Sequence, residues 1–303
     1  MGQKDKFLIL IVGPTAVGKT SLAIELAELF QTEIISFDSR QFYKRLNVGT
    51  AKPTAEELAR IKHHFIDFLE PDEDYDVSSF EIEALSLLEK LFQKKKIAVA
   101  TGGSGLYYKV LCEGIDEMPD IPATIRKEVQ DYYLVNGLTA LQERVQEVDP
   151  SFYSEADIMN PKRLMRALET FMATGRPYSD FRISGKKERP FNLIKIGIER
   201  PREELYERIN KRVDLMIRDG LWDEVASLKS YQSYNALQTV GYREIISSID
   251  GHWDKEEAIR LIKRNTRRYA RRQMTWFKKD EEIVWFQPDD SQRILSFLET
   301  KLL

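Results

Sequence analysis

An α/β fold, a parallel sheet with helices on both faces, is the architecture this sequence predicts. Three observations carry that expectation. The first hundred residues alternate short apolar runs with helix-patterned segments, an order that builds parallel strands joined by covering helices. Phe7-Leu8-Ile9-Leu10-Ile11-Val12 is a continuous apolar run of the kind that makes a strand buried on both faces. Directly after it stands Gly13-Pro14-Thr15-Ala16-Val17-Gly18-Lys19-Thr20, a complete G-x-x-x-x-G-K-[ST] phosphate loop, and Ser21 to Phe30 then shows apolar residues at helical spacing.

The elements follow in order. Glu33-Ile34-Ile35-Ser36-Phe37 reads as a second strand ending at Asp38, Glu81 to Gln93 as a helix, and Ile97-Ala98-Val99-Ala100 as a third strand running into Thr101-Gly102-Gly103-Ser104-Gly105. Asp116 to Pro122 is an acidic, Pro-rich connection and a natural boundary. From Ala123 to about Gly175 the period is helical, with breaks at Asn136-Gly137, Asp149-Pro150 and Asn160-Pro161. A loop rich in Gly, Lys and Arg spans 175–190, and strand character returns at Asn192 to Ile198. Helices then run from Arg202 to Lys279, and Ile283-Val284-Trp285-Phe286 reads as a late strand. The fold class is therefore a P-loop NTPase-like parallel sheet flanked by helices, with residues 1–115 and 191–303 as core and 116–190 as an inserted helical domain.

The 303 residues, 42% apolar and 31% charged, are those of a globular protein with a large core. No apolar segment approaches the ~20 residues that cross a bilayer. The start, Met1 to Lys6, leads straight into a strand without a cleavable apolar segment. Cys112 is the only cysteine, which excludes an intramolecular disulfide and a cysteine-built zinc site. A cytoplasmic protein is the expectation. The net charge of −3 hides an asymmetry: Arg260, Lys263, Arg264, Arg267, Arg268, Arg271, Arg272, Lys278 and Lys279 follow one another with almost no acid between them, the footprint of a polyanion partner.

In a parallel sheet the strand C-termini share one rim, so the phosphate loop, Asp38 and residues 101–105 should meet there. Strand, loop and helix aim backbone N–H groups and a helix N-terminus at one polyphosphate. Lys19 reaches the terminal phosphates, and the Thr20 hydroxyl holds a magnesium ion. Asp38 opens Asp38-Ser39-Arg40-Gln41; it serves as an indirect magnesium ligand, as a general base beside the phosphates, or as a turn cap. Arg40 and Gln41 suit bidentate hydrogen bonding to a phosphate or a base edge. Thr101-Gly102-Gly103-Ser104-Gly105-Leu106-Tyr107-Tyr108 is either a tight turn or a second glycine loop that admits a bulky substrate. No acid ends this strand, and no Asn-Lys-x-Asp sequence is present, which argues against ordinary ATP or GTP hydrolysis. His63-His64 reads as a hydrogen-bonded structural pair with no third metal ligand.

Lys162, Arg163 and Arg166 stand at a basic helix start, an anion site in outline. Arg212 and Gly241-Tyr242-Arg243 combine cations with apolar or aromatic neighbours, and Arg267 to Phe277 interleaves Arg with Tyr269, Trp276 and Phe277. Such mixtures suit RNA backbone contact and base stacking. From the residues alone two other readings stay open: a P-loop nucleotide or small-molecule kinase, and a nonenzymatic RNA-binding protein with a regulatory nucleotide site.

The ordered set resembles the tRNA dimethylallyltransferase (tRNA isopentenyltransferase) family along nearly the whole chain. The matching segments are 13–20, Asp-Ser-Arg-Gln at 38–41, Gly-Thr-Ala-Lys-Pro at 49–53, His-His-Phe-Ile-Asp at 63–67 and Gly-Gly-Ser-Gly-Leu-Tyr at 102–107. Lys-Arg-Leu-Met-Arg-Ala-Leu-Glu at 162–169, Gly-Tyr-Arg-Glu-Ile at 241–245 and Arg-Arg-Gln-Met-Thr-Trp-Phe at 271–277 complete it. Ser104 departs from the family's usual Thr but keeps the hydroxyl. The resemblance implies transfer of a dimethylallyl group from dimethylallyl diphosphate to the exocyclic amine of adenosine 37 in the tRNA anticodon stem-loop, giving N6-isopentenyladenosine. It implies a phosphate loop that holds the donor's diphosphate, with magnesium, Lys19, Thr20 and Arg212 on the leaving group and Asp38 as general base. It implies tRNA contacts at Asp38, Ser39, Arg40, Gln41, Thr101, Ser104, Arg126, Lys162, Arg163, Arg166, Gly241, Tyr242 and Arg243, and a monomer.

Overall fold

The apolar run near the N-terminus becomes β1 (Phe7–Val12), fully buried beyond its first residue, and the other strands are placed around it. They are β2 (Ile34–Ser36), β3 (His63–His64), β4 (Ile97–Thr101), β5 (Asn192–Ile198) and β6 (Val284–Phe286). The sheet order is β3-β2-β4-β1-β5-β6, and every neighbouring pair is parallel. In register, Ile9 of β1 faces Val99 on one side and Ile194 on the other. The computed structural model describes residues 5–182 and 185–302. The first four residues of the N-terminal reading, and Ile183-Ser184 within the 175–190 loop, lie outside the described residues.

Strand side chains alternate, so β1 feeds two apolar layers. Leu8, Leu10 and Val12 pack with Ile35, Phe37, Phe80, Tyr242 and Phe277, whereas Ile9 and Ile11 pack with Ala23, Leu26, Ile34, Ile196 and Leu298. The helices that supply these layers are α1 (Lys19–Leu29), α3 (Val77–Phe92) and α4 (Gly105–Glu113), whereas α2 (Ala55–Arg60) buries none of its residues. After a separate helical unit come α8 (Arg202–Arg218), α9 (Leu221–Ser227), α10 (Tyr242–Ile249), α11 (Lys255–Phe277) and α12 (Ser291–Leu302).

Two elements differ from the sequence expectation. His63-His64 forms a two-residue strand, β3, added to the edge of β2; the pair is hydrogen-bonded as expected, His63 Nδ1 to the Ile61 carbonyl at 2.8 Å and His64 Nε2 to the Glu33 carboxylate. Helix α3 starts four residues earlier than the apolar period indicates, because Asp76 caps it by accepting the Ser79 N–H at 2.8 Å.

The chain divides into two compact units, Met1–Glu113 with Glu188–Leu303, and Gly114–Lys187. The second unit contains α5 (Ala123–Val148), α6 (Pro150–Glu155) and α7 (Pro161–Thr174) around Val129, Leu141, Val145, Phe152, Leu164 and Leu168. Gly137, at φ 77°, kinks α5 where Asn136-Gly137 marks a break, and Gly175, at φ 71°, ends α7.

Candidate active site

With all strands parallel, the loops after β1, β2 and β4 emerge on one rim. They enclose a cleft of about 460 Å³ lined by Thr15 to Ser21, Asp38, Gln41, Thr101, Gly102, Arg212, Tyr269 and Gln273, among others. The phosphate loop takes the shape its glycines permit. Gly13 sits at φ 146°, and a Cβ there would stand 2.4 Å from the Ile198 carbonyl oxygen, so only glycine lets the loop lie against the end of β5. Gly18 precedes α1 with no side-chain cap, which leaves the helix's first N–H groups facing the cleft. Lys19 Nζ donates to the Pro14 carbonyl at 2.9 Å. Desolvation lowers its pKa to about 8; the Asp38 carboxylate opposes that shift and the Arg212 charge adds to it. Arg212, from α8, donates to the Thr15 hydroxyl at 3.3 Å, and burial lowers its pKa as well. Two cations held short of their usual solvation, facing uncapped helix N–H groups, form a receptor for an anion with several charges.

Asp38 stands across this cleft, half-buried, with Oδ1 accepting the Arg40 N–H at 3.2 Å. The Ser104 hydroxyl joins the β4 loop to the β2 loop: it accepts the Ser39 N–H at 3.1 Å and lies 3.0 Å from the Ser39 hydroxyl. Thr101 is buried, its hydroxyl donating to the Ile11 carbonyl at 3.2 Å, so this strand end offers the cleft no acid. Arg40 donates to the Asn235 backbone carbonyl, and Gln41 Nε2 donates to the Thr50 and Ala51 carbonyls at 3.3 and 3.2 Å. Both side chains expected to read a partner are thus engaged inside the chain.

Three residues beyond the expected site complete it. Gln273 of α11 is buried; its Oε1 accepts the Thr15 N–H at 2.8 Å and its Nε2 donates to the Gly103 carbonyl at 2.9 Å, fastening the phosphate loop to the β4 loop. Tyr269, one turn earlier, lines the cleft, where burial and then the Asp38 charge keep its hydroxyl protonated. Glu224 of α9 holds the 47–53 segment. Its carboxylate accepts the N–H groups of Asn47, Val48 and Gly49 at 2.9, 2.8 and 3.1 Å and the Tyr242 hydroxyl at 2.6 Å. A neutral amide inside a basic helix was the available signal for Gln273; nothing local marks Glu224. Beside the main cleft lies a narrower one of about 90 Å³, walled by Ile209, Val213, Met216, Leu221, Val240 and Ile262 and opening past Asp38, Thr50, Arg212 and Tyr269.

Tyr242 is wholly buried and bound to Glu224, so it presents no surface to an RNA; its role is internal. Gly241 lines the apolar cleft, and Arg243 is exposed. Arg126, Lys162, Arg163 and Arg166 belong to the second unit, where Arg166 lies 3.9 Å from Glu169 and the Arg126 charge also acts on that carboxylate. The basic run on α11 is less bare than its sequence. Arg260 pairs with Glu257, Lys263 with Asp214, Lys278 with Glu199, and Arg267 donates to Asn210. Arg268 and Arg271 are exposed and make no ion pair or side-chain hydrogen bond among the described residues. Among those residues no three His, Cys, Asp or Glu side chains gather as a metal cage, and no helix is long and apolar enough to cross a membrane.

Fold and cleft together define a phosphate-loop α/β protein that sets a polyanion receptor against the Asp38 carboxylate. Comparison with known proteins narrows the class. The model of the IPP transferase family matches residues 41–280. A tRNA dimethylallyltransferase of Christiangramia forsetii is 50% identical over 299 residues, covering 98% of this chain and 99% of the relative. The tRNA dimethylallyltransferase 1 of Bacteroides fragilis is 46% identical, covering 98% and 99%. The crystal structure of the full-length tRNA isopentenylpyrophosphate transferase from Bacillus halodurans is similar with a TM-score of 0.73 and 35% identity, covering 99% of this chain and 97% of that one. The chain belongs to the IPP transferase family and is an enzyme, a prenyltransferase.

Proposed function

We propose that this protein transfers a dimethylallyl group from dimethylallyl diphosphate to the exocyclic amine of adenosine 37 in tRNA. One observation carries the reading: a single cleft sets the phosphate loop, Lys19 and Arg212 beside Asp38 and continues into an apolar cleft of a few carbon atoms' width. That is the outline of a small allylic diphosphate, with charge at one end and a short hydrocarbon at the other. The diphosphate would rest on the loop N–H groups, with Lys19 and Arg212 against its charge. Val213, Met216, Val240 and Ile262 are the apolar neighbours the dimethylallyl carbons would meet.

In the reaction the adenine nitrogen attacks the allylic carbon. The carbon–oxygen bond to the diphosphate breaks, and pyrophosphate leaves with the electron pair. The amine's lone pair is delocalised into the ring, so the attack needs its proton removed as the bond forms; Asp38 takes that proton. Lys19, Arg212 and the loop N–H groups stabilise the charge that grows on the leaving group. Thr20 lines the same cleft, and its hydroxyl is the oxygen that would hold a magnesium ion there. Bound there, magnesium would supply further countercharge to pyrophosphate. The adenosine must leave the anticodon-loop stack to reach Asp38, and exposed Arg243, Arg268 and Arg271, with Arg126, Lys162, Arg163 and Arg166, are the cations available to the RNA backbone.

The test is incubation with unmodified tRNA, magnesium and radiolabelled dimethylallyl diphosphate, scoring label retained on the RNA, with labelled ATP as the parallel donor. Label from the isoprenoid, lost when adenosine 37 is replaced by guanosine, supports the proposal. No isoprenoid transfer, with phosphate moved from ATP instead, sinks it.

A further inference from the structure

The phosphate loop is a motif of nucleoside triphosphate enzymes, yet one of its donors is already spent. The Thr15 N–H, which stands in the loop's first half, is held by Gln273 Oε1 at 2.8 Å. Both ends of the Gln273 amide are fixed by their partners, because an N–H demands the oxygen and the Gly103 carbonyl demands the NH₂. The side chain is 5% exposed and cannot swing freely into water. A Cβ on Gly103 would meet Gln273 Nε2 at 2.3 Å and Asp38 Oδ2 at 3.6 Å, so the Gln273 NH₂ and the Asp38 carboxylate lie against the same glycine of the β4 loop.

From these contacts we propose that Gln273 is a specificity-determining residue that limits the loop to diphosphates and rejects triphosphates. The inference rests on the diphosphate reading of the cleft. Two phosphates are served by the N–H groups at the start of α1 and by Lys19. A third, extended toward the Thr15 end, finds that N–H already filled by the Gln273 oxygen, and the Asp38 carboxylate, which lines the same cleft, repels its charge. Arg212 attracts either ligand and does not discriminate. Under the proposed reaction the same space is where the allylic carbon and the incoming amine must meet, so closing it to phosphate also keeps it for chemistry.

The experiment is calorimetric titration of the whole protein, with magnesium, by inorganic pyrophosphate and by inorganic tripolyphosphate. One occupied donor and one facing carboxylate predict that the native protein binds pyrophosphate at least about tenfold more tightly than tripolyphosphate. In Gln273→Ala the Thr15 N–H is freed and space opens; tripolyphosphate binding should improve about tenfold while pyrophosphate changes less than about threefold. Gln273→Glu keeps the size and the Thr15 bond but adds negative charge, and the preference for pyrophosphate should widen. That variant decides the matter if the alanine variant does not fold. Pyrophosphate binding with no native preference, or with a preference neither variant alters, overturns the role of Gln273 alone. A native protein that binds no pyrophosphate at all overturns the diphosphate reading and this inference together.

Discussion

Glu224→Gln tests whether the 47–53 segment is held in place by a single carboxylate. In the native protein the two oxygens accept four hydrogen bonds, from the Asn47, Val48 and Gly49 N–H groups and the Tyr242 hydroxyl. An amide has one oxygen. Placed toward Asn47 and Val48, it leaves its NH₂ facing the Gly49 N–H, where donor meets donor. Placed the other way, it strands two backbone N–H groups. At least one bond is lost, and the remainder change from charge-assisted to neutral. Bonds to a charged group contribute about 1.5–3 kcal/mol and neutral ones about 1. Glu224 is half-buried, and its charge is screened accordingly. A loss of about 2 kcal/mol follows, read from the urea midpoint at constant slope. Thr50 and Ala51 line the cleft and receive Gln41, so transfer activity should fall with kcat/KM more than stability alone explains at a temperature where the variant is folded. Tyr242→Phe removes only the hydroxyl and leaves the carboxylate its three N–H bonds, so it should cost about 1.5 kcal/mol, the low end for a bond to a charged group, with a smaller loss of activity. A glutamine variant with native midpoint and native kcat/KM would refute the reasoning, because it would mean that the loop does not depend on the carboxylate.

Asp38→Ala should lower turnover by about 10²–10⁴ while tRNA affinity stays within a few-fold, measured by single-turnover transfer and filter binding; near-normal turnover removes Asp38 as the base. Lys19 is protonated below its pKa of about 8 and loses the charge above it. Pyrophosphate affinity should therefore be level below pH 8 and fall as pH rises through 8 to 9.5, with proton uptake on binding visible in buffers of different ionisation enthalpy; a level profile across that range contradicts the assignment. Replacing Arg268 and Arg271 with Gln should reduce the salt slope of tRNA binding by about 1.5, whereas Lys263→Gln, which breaks a pair with Asp214, should hardly change it.

What the sequence makes legible is what a short stretch of chain decides. The β1 run, the phosphate loop and the start of α1 are contiguous, and their pattern states both structure and site. Asp38 is legible because parallel strands send their C-terminal ends to one rim. Gln273 is not, because its partners Thr15 and Gly103 lie 258 and 170 residues away. Tyr242, beside exposed Arg243, has the look of a surface aromatic. Its burial is set by Gly49, where a Cβ would stand 2.5 Å from the tyrosine ring, and by Glu224, and neither is near it in a linear reading. The basic run on α11 misleads in the opposite direction. Counted along the chain it is nearly free of acid, but Asp214 of α8 and Glu199 after β5 reach Lys263 and Lys278 across space. Among the described residues, Arg268, Arg271, Arg272 and Lys279 keep the exposure and lack of an ion pair that the linear pattern suggests for all of them.

The two halves of the sheet unit divide the work of the site unequally. Residues before 114 supply the backbone of the cleft: the phosphate loop, Asp38 and the glycine loop after β4. Side chains that fix these loops and the 47–53 segment come from three helices after residue 200: Arg208 and Arg212 on α8 to Ala16 and Thr15, Glu224 on α9 to the 47–49 N–H groups, Gln273 on α11 to Thr15 and Gly103. A loop of backbone donors is only as well aimed as the groups that hold it, because each unheld φ/ψ pair costs about 1–2 kcal/mol to order when the ligand arrives. Docking these helices onto the sheet imposes that cost at folding instead of at binding. The apolar contacts that seat them, Val213, Leu221, Tyr242 and Phe277 against the β1 face, therefore belong to the function of the cleft as much as the polar groups within it.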